Sequence, residues 1–368
     1  MARERIIAED WSPNWAVHPG DVLEEHLEAR ELTQADFARR AGLTPKLVST
    51  IVAGKNPITA DTALAIERVL GVKAYIWTGL QSAWDLHQTR EAQREAASEP
   101  SVRDWIAKFP IKELQALGIL PKSDDTGAHY DSLLKFFGVG SVNGYHARFD
   151  RLSVQYRHSV AHQSEVACLH AWLQIGELKA RDLPLKPFSA DRFASALKTV
   201  RTLTRESPAM FFPKMVDECA HAGVAVVAVR PLPKTRLSGA ARWLSSDRAI
   251  IQLSLRHKTN DHFWFSFFHE AGHVALHKHD IVFADDEGGK GDGAESEADA
   301  FAEETLVGRQ RFADFSRTHP KARHEVIQFA DRVEIHPGIV VGMLQHHGIL
   351  PWAHLNDLKE KFVWSEDA

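Results

Sequence analysis

"DHFWFSFFHEAGHVALHKHD", residues 261 to 280, holds four histidines and a glutamate within its last twelve positions. The apolar run before them is typical of a helix buried in a domain core. His269 and His273 stand four residues apart, and His277 follows at the same spacing. Residues at this spacing share one face of an α-helix. The segment therefore predicts a buried helix with one histidine-lined side.

The five residues from His269 to His273 form a complete HExxH motif. Two imidazoles one helical turn apart can both reach a tetrahedral zinc ion, and the glutamate after the first lies beside the position left open for water. Zinc lowers the pKa of such a water towards about 7, and Glu270 would take its proton and pass it to the leaving amine. The motif predicts zinc-dependent hydrolysis, with His269 and His273 as ligands and Glu270 as the base.

A third ligand is needed, because HExxH alone also occurs by chance. His279 stands ten residues after His269, as in zincins with an HExxHxxGxxH motif, but those proteins have a glycine where this chain has Leu276. With leucine we expect the helix to continue, which separates the two histidines by about 15 Å of rise. His277 lies on the correct face but two turns, or about 12 Å, from His269. Neither histidine is therefore well placed to bind the same zinc ion as His269.

A better candidate lies in "GAESEADAFAEETLVG", residues 293 to 308. Glu295 and Asp299 share a helical face, so Glu295 can complete the zinc shell while Asp299 accepts a hydrogen bond from a ligand histidine. Glu297 projects roughly 200° around the helix from Glu295. The helix dipole alone also favours an acidic first turn. Next to HExxH, the pattern favours Glu295 as the third ligand, with Asp299 and His277 in supporting positions.

Near the other end of the chain, "LTQADFARRAGLTPKLVSTIVAGKNPI", residues 32 to 58, has the pattern of two short helices joined by a turn. Thr33 can cap the first helix, and Gly42 permits a sharp turn. Thr44 can cap the second helix, with Pro45 at its first position. The arrangement predicts a helix-turn-helix, whose second helix enters the major groove of DNA.

The DNA-facing side chains are expected to be those that do not pack inward. On the second helix these are Lys46, Ser49 and Thr50, which would face bases. Phosphate contacts are expected from Gln34, Lys55 and Asn56, and we include the capping Thr44 in the DNA-binding set. Residues 33 to 56 carry a local charge of +3, although the formal net charge of the chain is -5. The alternative is a helical protein-interaction module with solvated polar residues.

The whole chain is predicted to be mainly α with a small β-sheet, an α+β protein. Strands are expected in "GVAVVAVRPL" and in "GAARWLSSDRAIIQLSL", which resembles a hairpin turning at Ser246-Asp247. A second helix-turn-helix pattern, "EVIQFADRVEIHPGIVVGMLQHHGIL", has no basic exposed positions and is interpreted as packing. We predict five parts: a helix-turn-helix domain (1–88), a linker (89–100), a helical middle region of unassigned role (101–215), a metallopeptidase domain (216–350) and a tail (351–368).

Residues 18 to 86 closely resemble the DNA-binding domain of HigA-type antitoxins within the Xre/Cro-like family. The resemblance rests on the opening "HPG", on "NPITADTALAIERVLG" and on the ending "WTGLQSAWDL". It implies a five-helix, lambda-repressor-like domain that binds palindromic double-stranded operator DNA as a homodimer and represses its own operon. Antitoxins of this type also bind a toxin.

Residues 215 to 348 resemble the ImmA/IrrE metallopeptidase family. The match rests on "FWFSFFHEAGHVALH" followed by "ESEADAFAEETLV", with the strands "GVAVVAV" and "AIIQLSL" before them. It implies a zincin-like domain with His269, His273 and Glu295 as zinc ligands and Glu270 as the base. It also implies site-specific cleavage of repressor or partner proteins. One departure is Gly308, where family members usually have a proline.

Composition sets the expected compartment. Two cysteines, Cys168 and Cys219, stand far apart, which favours free thiols in a reducing environment. No apolar run approaches the roughly 18 residues of a membrane span, and the first residues lack the apolar core of a signal peptide. We expect a soluble, cytoplasmic protein with no membrane partner.

Together the motifs predict a DNA-binding transcriptional regulator joined to a zinc endopeptidase. Its expected substrate is a repressor, a toxin-antitoxin partner or the chain itself, in a prophage, stress or toxin-antitoxin circuit. The alternative is a non-enzymatic HigA-like antitoxin or repressor whose zinc domain is a sensor or scaffold. The intact Glu270 argues against that alternative, because a structural zinc site is normally closed by four protein ligands.

Overall fold

The computed structural model describes residues 15–155, 163–235, 237–277, 282–284 and 293–364. The chain divides into two compact units. One comprises Met1–Arg103 with Asp125–Tyr130, and the other comprises Asp104–Asp124 with Asp131–Ala368. Among the described residues, no helix is long and apolar enough to cross a bilayer.

The first unit begins with five helices, two of which start at the predicted capping threonines. They are α1 (Pro19–Glu28), α2 (Gln34–Ala41), α3 (Pro45–Val52), α4 (Ala60–Leu70) and α5 (Ala74–Ala96). Thr33 Oγ1 accepts from the backbone N–H of Asp36 at 3.1 Å, and Thr44 Oγ1 accepts from that of Leu47 at 3.2 Å. Gly42 ends α2 with φ +69°, a conformation that glycine adopts without strain. The predicted helix-turn-helix is present as α2 and α3.

The core of this unit is formed where the five helices face one another. Its fully buried side chains include Leu23, Phe37, Ile51, Ile66 and Trp77. Helix α5 extends to Ala96, so most of the segment predicted as a linker is helical. The alanine-rich composition of that segment suits a helix as well as a linker, because alanine has the highest helix propensity.

The rest of the chain is mainly helical as well. Its helices are α6 (Pro100–Ile106), α7 (Ile111–Ala116), α8 (Thr126–Phe137), α9 (Val142–Gln155), α10 (Gln163–Arg181), α11 (Ala190–Thr202), α12 (Pro208–His221), α13 (Asn260–Leu276), α14 (Gly293–Leu306), α15 (Arg309–Ser316), α16 (Arg323–Arg332) and α17 (Pro337–His346). Short 3-10 helices lie at Leu203–Arg205, between α11 and α12, and at Asn356–Leu358, after α17. Together with the small sheet, they confirm the predicted α+β class.

The sheet contains β1 (Val224–Ala228), β2 (Gly239–Ser245), β3 (Arg248–Leu253) and β4 (Val282–Ala284), in the order β1-β3-β2-β4. The predicted hairpin is present as antiparallel β2 and β3, with Ala241 opposite Ile251. Strand β1 pairs with β3 in parallel, and β4 pairs with β2 antiparallel. Because successive side chains alternate between faces, one face of the sheet packs against α13 and the other carries Arg242 and Gln252 towards α10.

Residues 101–215 do not form a unit of their own. Phe193 of α11 and Phe211 and Met215 of α12 belong to the same apolar core as Trp264 and Phe268 of α13. The boundary expected near residue 215 therefore runs through a continuous core. The two cysteines are free and buried, as expected.

The backbone conformation at position 308 suits the glycine that this chain has in place of the family's usual proline. Gly308 precedes α15 with φ +85°. Proline cannot adopt this value, because its ring fixes φ near about -65°. The chain therefore turns here in a way that requires glycine rather than proline.

Candidate functional site

Helix α13 carries the HExxH motif through the core of the second unit. Its apolar residues, from Phe263 to Phe268, pack on the sheet and on the neighbouring helices. His269, Glu270 and His273 are only 2%, 0% and 1% exposed. The burial of the helix fixes their rotamers by packing, which holds potential ligands in place before any ion binds.

A glycine allows α14 to approach α13 closely. A Cβ atom at Gly272 would come within 3.1 Å of Ala298 Cα and 3.2 Å of Phe301 Cβ. A side chain at this position of HExxH would therefore be tightly packed against α14 unless its neighbours shifted by a few tenths of an ångström. The close approach places Glu295, one turn before Ala298, against the two histidines of the motif.

Potential ligand atoms of three residues meet between the helices. The Nε2 atoms of His269 and His273 are 3.0 Å apart. Glu295 Oε2 lies 3.2 Å from His269 Nε2, and Glu295 Oε1 lies 3.5 Å from His273 Nε2. In a tetrahedral site with bonds of about 2.0–2.1 Å, two ligand atoms are about 3.3 Å apart. The donor set and its spacing therefore fit one zinc ion, and these three residues form the single such cluster in the described part of the chain.

One carboxylate of α14 also faces the outer nitrogen of His269. His269 Nδ1 lies 2.8 Å from Asp299 Oδ1. A hydrogen bond donated from Nδ1 leaves the Nε2 lone pair for a metal and fixes the orientation of the ring. This is the contact expected for Asp299 from its spacing to Glu295.

Burial and hydrogen bonding set the charge of the ligands. Burial by itself would raise the pKa of Glu295, but hydrogen bonds with His269 and His273 outweigh it and lower the pKa to about 2. Burial lowers the pKa of His273, more than its contact with Glu295 raises it. Near neutral pH the carboxylate is therefore ionised and the imidazole of His273 is neutral, as metal coordination requires.

Glu270 occupies a confined position next to the ligands. A Cβ atom at Gly239, the first residue of β2, would come within 2.6 Å of Glu270 Oε1 and 2.7 Å of its Cγ. The absence of a side chain at Gly239 therefore creates the space for this carboxylate. The sequence contained no signal for this contact, because the strand and the helix are distant along the chain.

His277 and His279 are the two histidines that follow the HExxH motif in residues 261–280. His277 follows the end of α13, with φ -111° and ψ 56°, so the helix ends at Leu276 instead of continuing as expected. Its Nδ1 lies 3.2 Å from His273 Nδ1, and its Nε2 lies 3.0 Å from Glu297 Oε2. Glu297 is thus not among the three clustered ligands but contacts His277. His279 lies outside the described residues.

The predicted DNA-binding residues fall into two groups. Lys46, Ser49 and Lys55 are exposed, and Gln34 is half-buried at the start of α2. The others are engaged in local structure: Thr44 caps α3, Thr50 Oγ1 donates to the carbonyl of Lys46 at 2.9 Å, and Asn56 Nδ2 donates to Thr50 Oγ1 at 2.9 Å. The residues of the second group stabilise the start and the end of α3. The residues of the first group are available to a ligand.

Comparisons with known proteins match both ends of the chain. A helix-turn-helix family model matches residues 23–77, and a peptidase family model, the IrrE N-terminal-like domain, matches residues 219–344. The chain is 30% identical over 73 residues to YddM, an uncharacterised HTH-type transcriptional regulator of Escherichia coli (strain K12), covering 20% of this chain and 78% of that protein. It is 36% identical over 77 residues to virulence-associated protein I of Dichelobacter nodosus, covering 21% of this chain and 71% of that protein.

Solved structures with similarity cover the same amino-terminal part. An antidote protein of a plasmid maintenance system from Nostoc punctiforme is 27% identical, with a TM-score of 0.22, covering 22% of this chain and 89% of that chain. An addiction module antidote protein of the HigA family from Coxiella burnetii is 27% identical, with a TM-score of 0.21, covering 23% of this chain and 92% of that chain.

The family matches confirm both resemblances drawn from the sequence. The chain therefore belongs to the helix-turn-helix transcriptional regulators and carries, in its carboxy-terminal part, an IrrE N-terminal-like domain of the metallopeptidase type.

Proposed function

We propose that this chain is a DNA-binding regulator whose carboxy-terminal domain is a zinc-dependent endopeptidase. Its substrate is a repressor, a toxin-antitoxin partner or the chain itself. The observation that carries the proposal is the convergence of His269, His273 and Glu295 within 3.0 to 3.5 Å, with the buried Glu270 beside them. Three protein ligands leave a fourth tetrahedral position for water or substrate, as in catalytic zinc sites.

Each residue of the site has a defined role in peptide hydrolysis. A zinc ion held by His269, His273 and Glu295 would supply Lewis-acid chemistry at this site. Glu270 would accept the proton of the attacking water and later donate it to the leaving amine. Asp299 keeps His269 in the tautomer whose Nε2 lone pair faces the centre. Gly239 leaves the space in which the Glu270 carboxylate is held.

The amino-terminal unit holds the regulator at DNA. We propose that α3 lies in the major groove, with Lys46 and Ser49 towards base edges and Lys55 towards the phosphates. Helix-turn-helix proteins commonly bind as dimers to half-sites one helical turn apart. A homodimer on a palindromic operator therefore suits this unit.

The decisive experiment replaces Glu270 with glutamine. The E270Q variant keeps the size of the side chain and all three zinc ligands but cannot take a proton. We expect normal zinc content and normal DNA affinity, with cleavage slowed by about 10²- to 10⁴-fold. Cleavage is measured on the purified full chain itself and on the repressors and toxin-antitoxin proteins encoded beside its gene. Cleavage by E270Q at the wild-type rate would exclude this mechanism.

A second candidate function is a non-enzymatic regulator or antitoxin whose zinc domain is a sensor. It is favoured by the match to a transcriptional regulator over 73 residues, which is only 20% of this chain. This function predicts that wild-type protein binds zinc and DNA, cleaves none of the tested proteins, and changes its DNA affinity when zinc is removed.

A further inference from the structure

The two ligand histidines differ in the acceptors at their outer nitrogens. A histidine that offers Nε2 to a metal carries its proton on Nδ1, and that N–H needs an acceptor. Asp299 is the acceptor for His269. At His273, Nδ1 lies 3.2 Å from the Nδ1 of His277.

His277 can accept this hydrogen bond in only one tautomer. A neutral imidazole accepts at one nitrogen and donates from the other, so acceptance at Nδ1 places its proton on Nε2. His277 Nε2 lies 3.0 Å from Glu297 Oε2, which accepts that proton in a hydrogen bond. The carboxylate of Glu297 thereby selects the tautomer of His277 in which Nδ1 is an acceptor.

We propose that Glu297, acting through His277, is a positioning residue for the zinc ligand His273. The chain of contacts runs from the buried His273 through His277, whose side chain is 10% exposed, to Glu297, which is 65% exposed. This proposal rests on the zinc site of the proposed function and adds a second carboxylate to its support. Helix α14 then supplies one ligand and two orienting carboxylates at alternate positions, Glu295, Glu297 and Asp299.

The early end of α13 makes this contact possible. If the helix continued past Leu276, His277 would keep a helical backbone and its ring would remain above the preceding turn. The non-helical backbone of His277 instead brings its ring between His273 and the first turn of α14. The contact of His277 with Glu297 joins two helices, so it was not predictable from spacing along one helix.

Zinc affinity tests the proposal without reference to cleavage. The dissociation constant is measured on the full chain by competition with chelators of graded affinity, for wild type, E297Q, E297A and D299N. Loss of a partner of a ligand histidine weakens metal binding by about 10- to 100-fold. We expect such a loss for D299N, and a loss of about 10-fold for E297Q and E297A. The control is E304Q, the same exchange at an exposed residue near the other end of α14, and it should bind zinc as wild type does.

A double-mutant cycle distinguishes positioning from a simple surface ion pair. If Glu297 acts through His277, H277Q and E297Q remove the same chain of contacts, and the double variant binds zinc about as weakly as H277Q alone. The visible spectrum of the cobalt-substituted protein should also change in E297Q, because the orientation of the His273 ring affects the ligand geometry.

Three possible results of these zinc-binding measurements distinguish the inference about Glu297 from the proposed function. Weaker zinc binding by E297Q and E297A, with E304Q unchanged, supports the inference. A wild-type affinity and cobalt spectrum in both Glu297 variants, with D299N weakened, overturns the inference and leaves the proposed function intact. A wild-type protein that takes up no zinc overturns both.

Discussion

Two segments of this chain have the same helix-turn-helix pattern but different surroundings. One is "FARRAGLTPKLV", residues 37 to 48, which links α2 to α3, and the other is "FADRVEIHPGIV", residues 329 to 340, which links α16 to α17. In both, a Phe-Ala pair is buried in the first helix, a residue with positive φ makes the turn, and a side chain caps the second helix before a proline. The local rules of the two motifs are therefore shared.

The outer faces of the second helices differ. Lys46 and Ser49 are exposed on α3, whereas Gly338 and Val341, which occupy the corresponding positions of α17, are buried. Helix α17 packs against α13, the helix that carries the HExxH motif. The comparison teaches that inward apolar residues and caps determine the motif, while the outer positions determine whether it faces a ligand or a protein core.

The largest expected effect on stability comes from placing valine at the corresponding position of each second helix, Gly338 in α17 and Lys46 in α3. A Cβ atom at Gly338 would lie 2.8 Å from Asn260 Oδ1 and 2.9 Å from the carbonyl oxygen of Leu358. We expect G338V to lower the free energy of unfolding by about 3 kcal/mol through overpacking. The matched K46V change, on an exposed face, should cost about 0.5 kcal/mol or less. Urea unfolding measures both, and equal losses would contradict the comparison.

The next largest expected effect is on the affinity for DNA. We expect K46A to weaken binding to a selected operator by about tenfold or more, because a side chain that contacts a base edge contributes about 1–3 kcal/mol to discrimination. K55A should weaken binding to all sequences and reduce the salt slope by about 1, as the loss of one phosphate contact does. Fluorescence anisotropy at several salt concentrations measures both. The control is the exposed Lys321, near α16, whose change to alanine should leave binding unaltered.

The caps of the two second helices should differ in their response to pH. His336 Nδ1 accepts from the backbone N–H of Gly338 at 3.1 Å, whereas Thr44 caps α3 with a hydroxyl that does not titrate. Burial lowers the pKa of His336 below its ordinary value of 6.5, so the unfolded chain binds a proton that the folded chain resists. The contribution of His336 to stability is therefore present above pH 6.5 and lost as the pH falls below it.

The measurement is the free energy of unfolding of wild type and H336N between pH 7.5 and pH 5, conditions in which asparagine caps a helix without titrating. We expect the wild type to lose stability relative to H336N as the pH falls. A constant difference across this range would show that protonation of His336 is not linked to folding.

The smallest effect lies at the turn itself. Gly42 has φ +69° and Glu334 has φ +58°. A residue with a side chain is strained by about 1 kcal/mol in this region, so E334G should stabilise its unit by up to about 1 kcal/mol. G42A should cost a similar amount, because a Cβ atom at Gly42 meets nothing within 4 Å and only the backbone strain counts. Thermal unfolding of the two variants gives opposite shifts if the turns are equivalent.

Local signals in the sequence predicted α2 and α3, the β2–β3 hairpin and the two helices that carry the HExxH motif and Glu295, whereas the five-helix domain was implied by the family resemblance. Capping threonines, turn glycines and spacing along one helix are local, so they can be recognised without the fold. The parallel pairing of β1 with β3 and the core shared by α11, α12 and α13 depend on contacts between distant segments. The contact of Glu297 with His277 depended on where α13 ends, which the leucine at position 276 did not indicate.

The arrangement of the proposed ligands on two helices would give the proposed metal centre a further property. An ion bound by His273 and Glu295 closes the chain between them into a loop, as a disulfide would, and so reduces the conformational entropy of the unfolded chain. Unlike a disulfide, this link forms and breaks with the free zinc concentration. The stability of the carboxy-terminal unit, and with it the lifetime of the regulator against cellular proteases, would then follow the zinc supply of the cell.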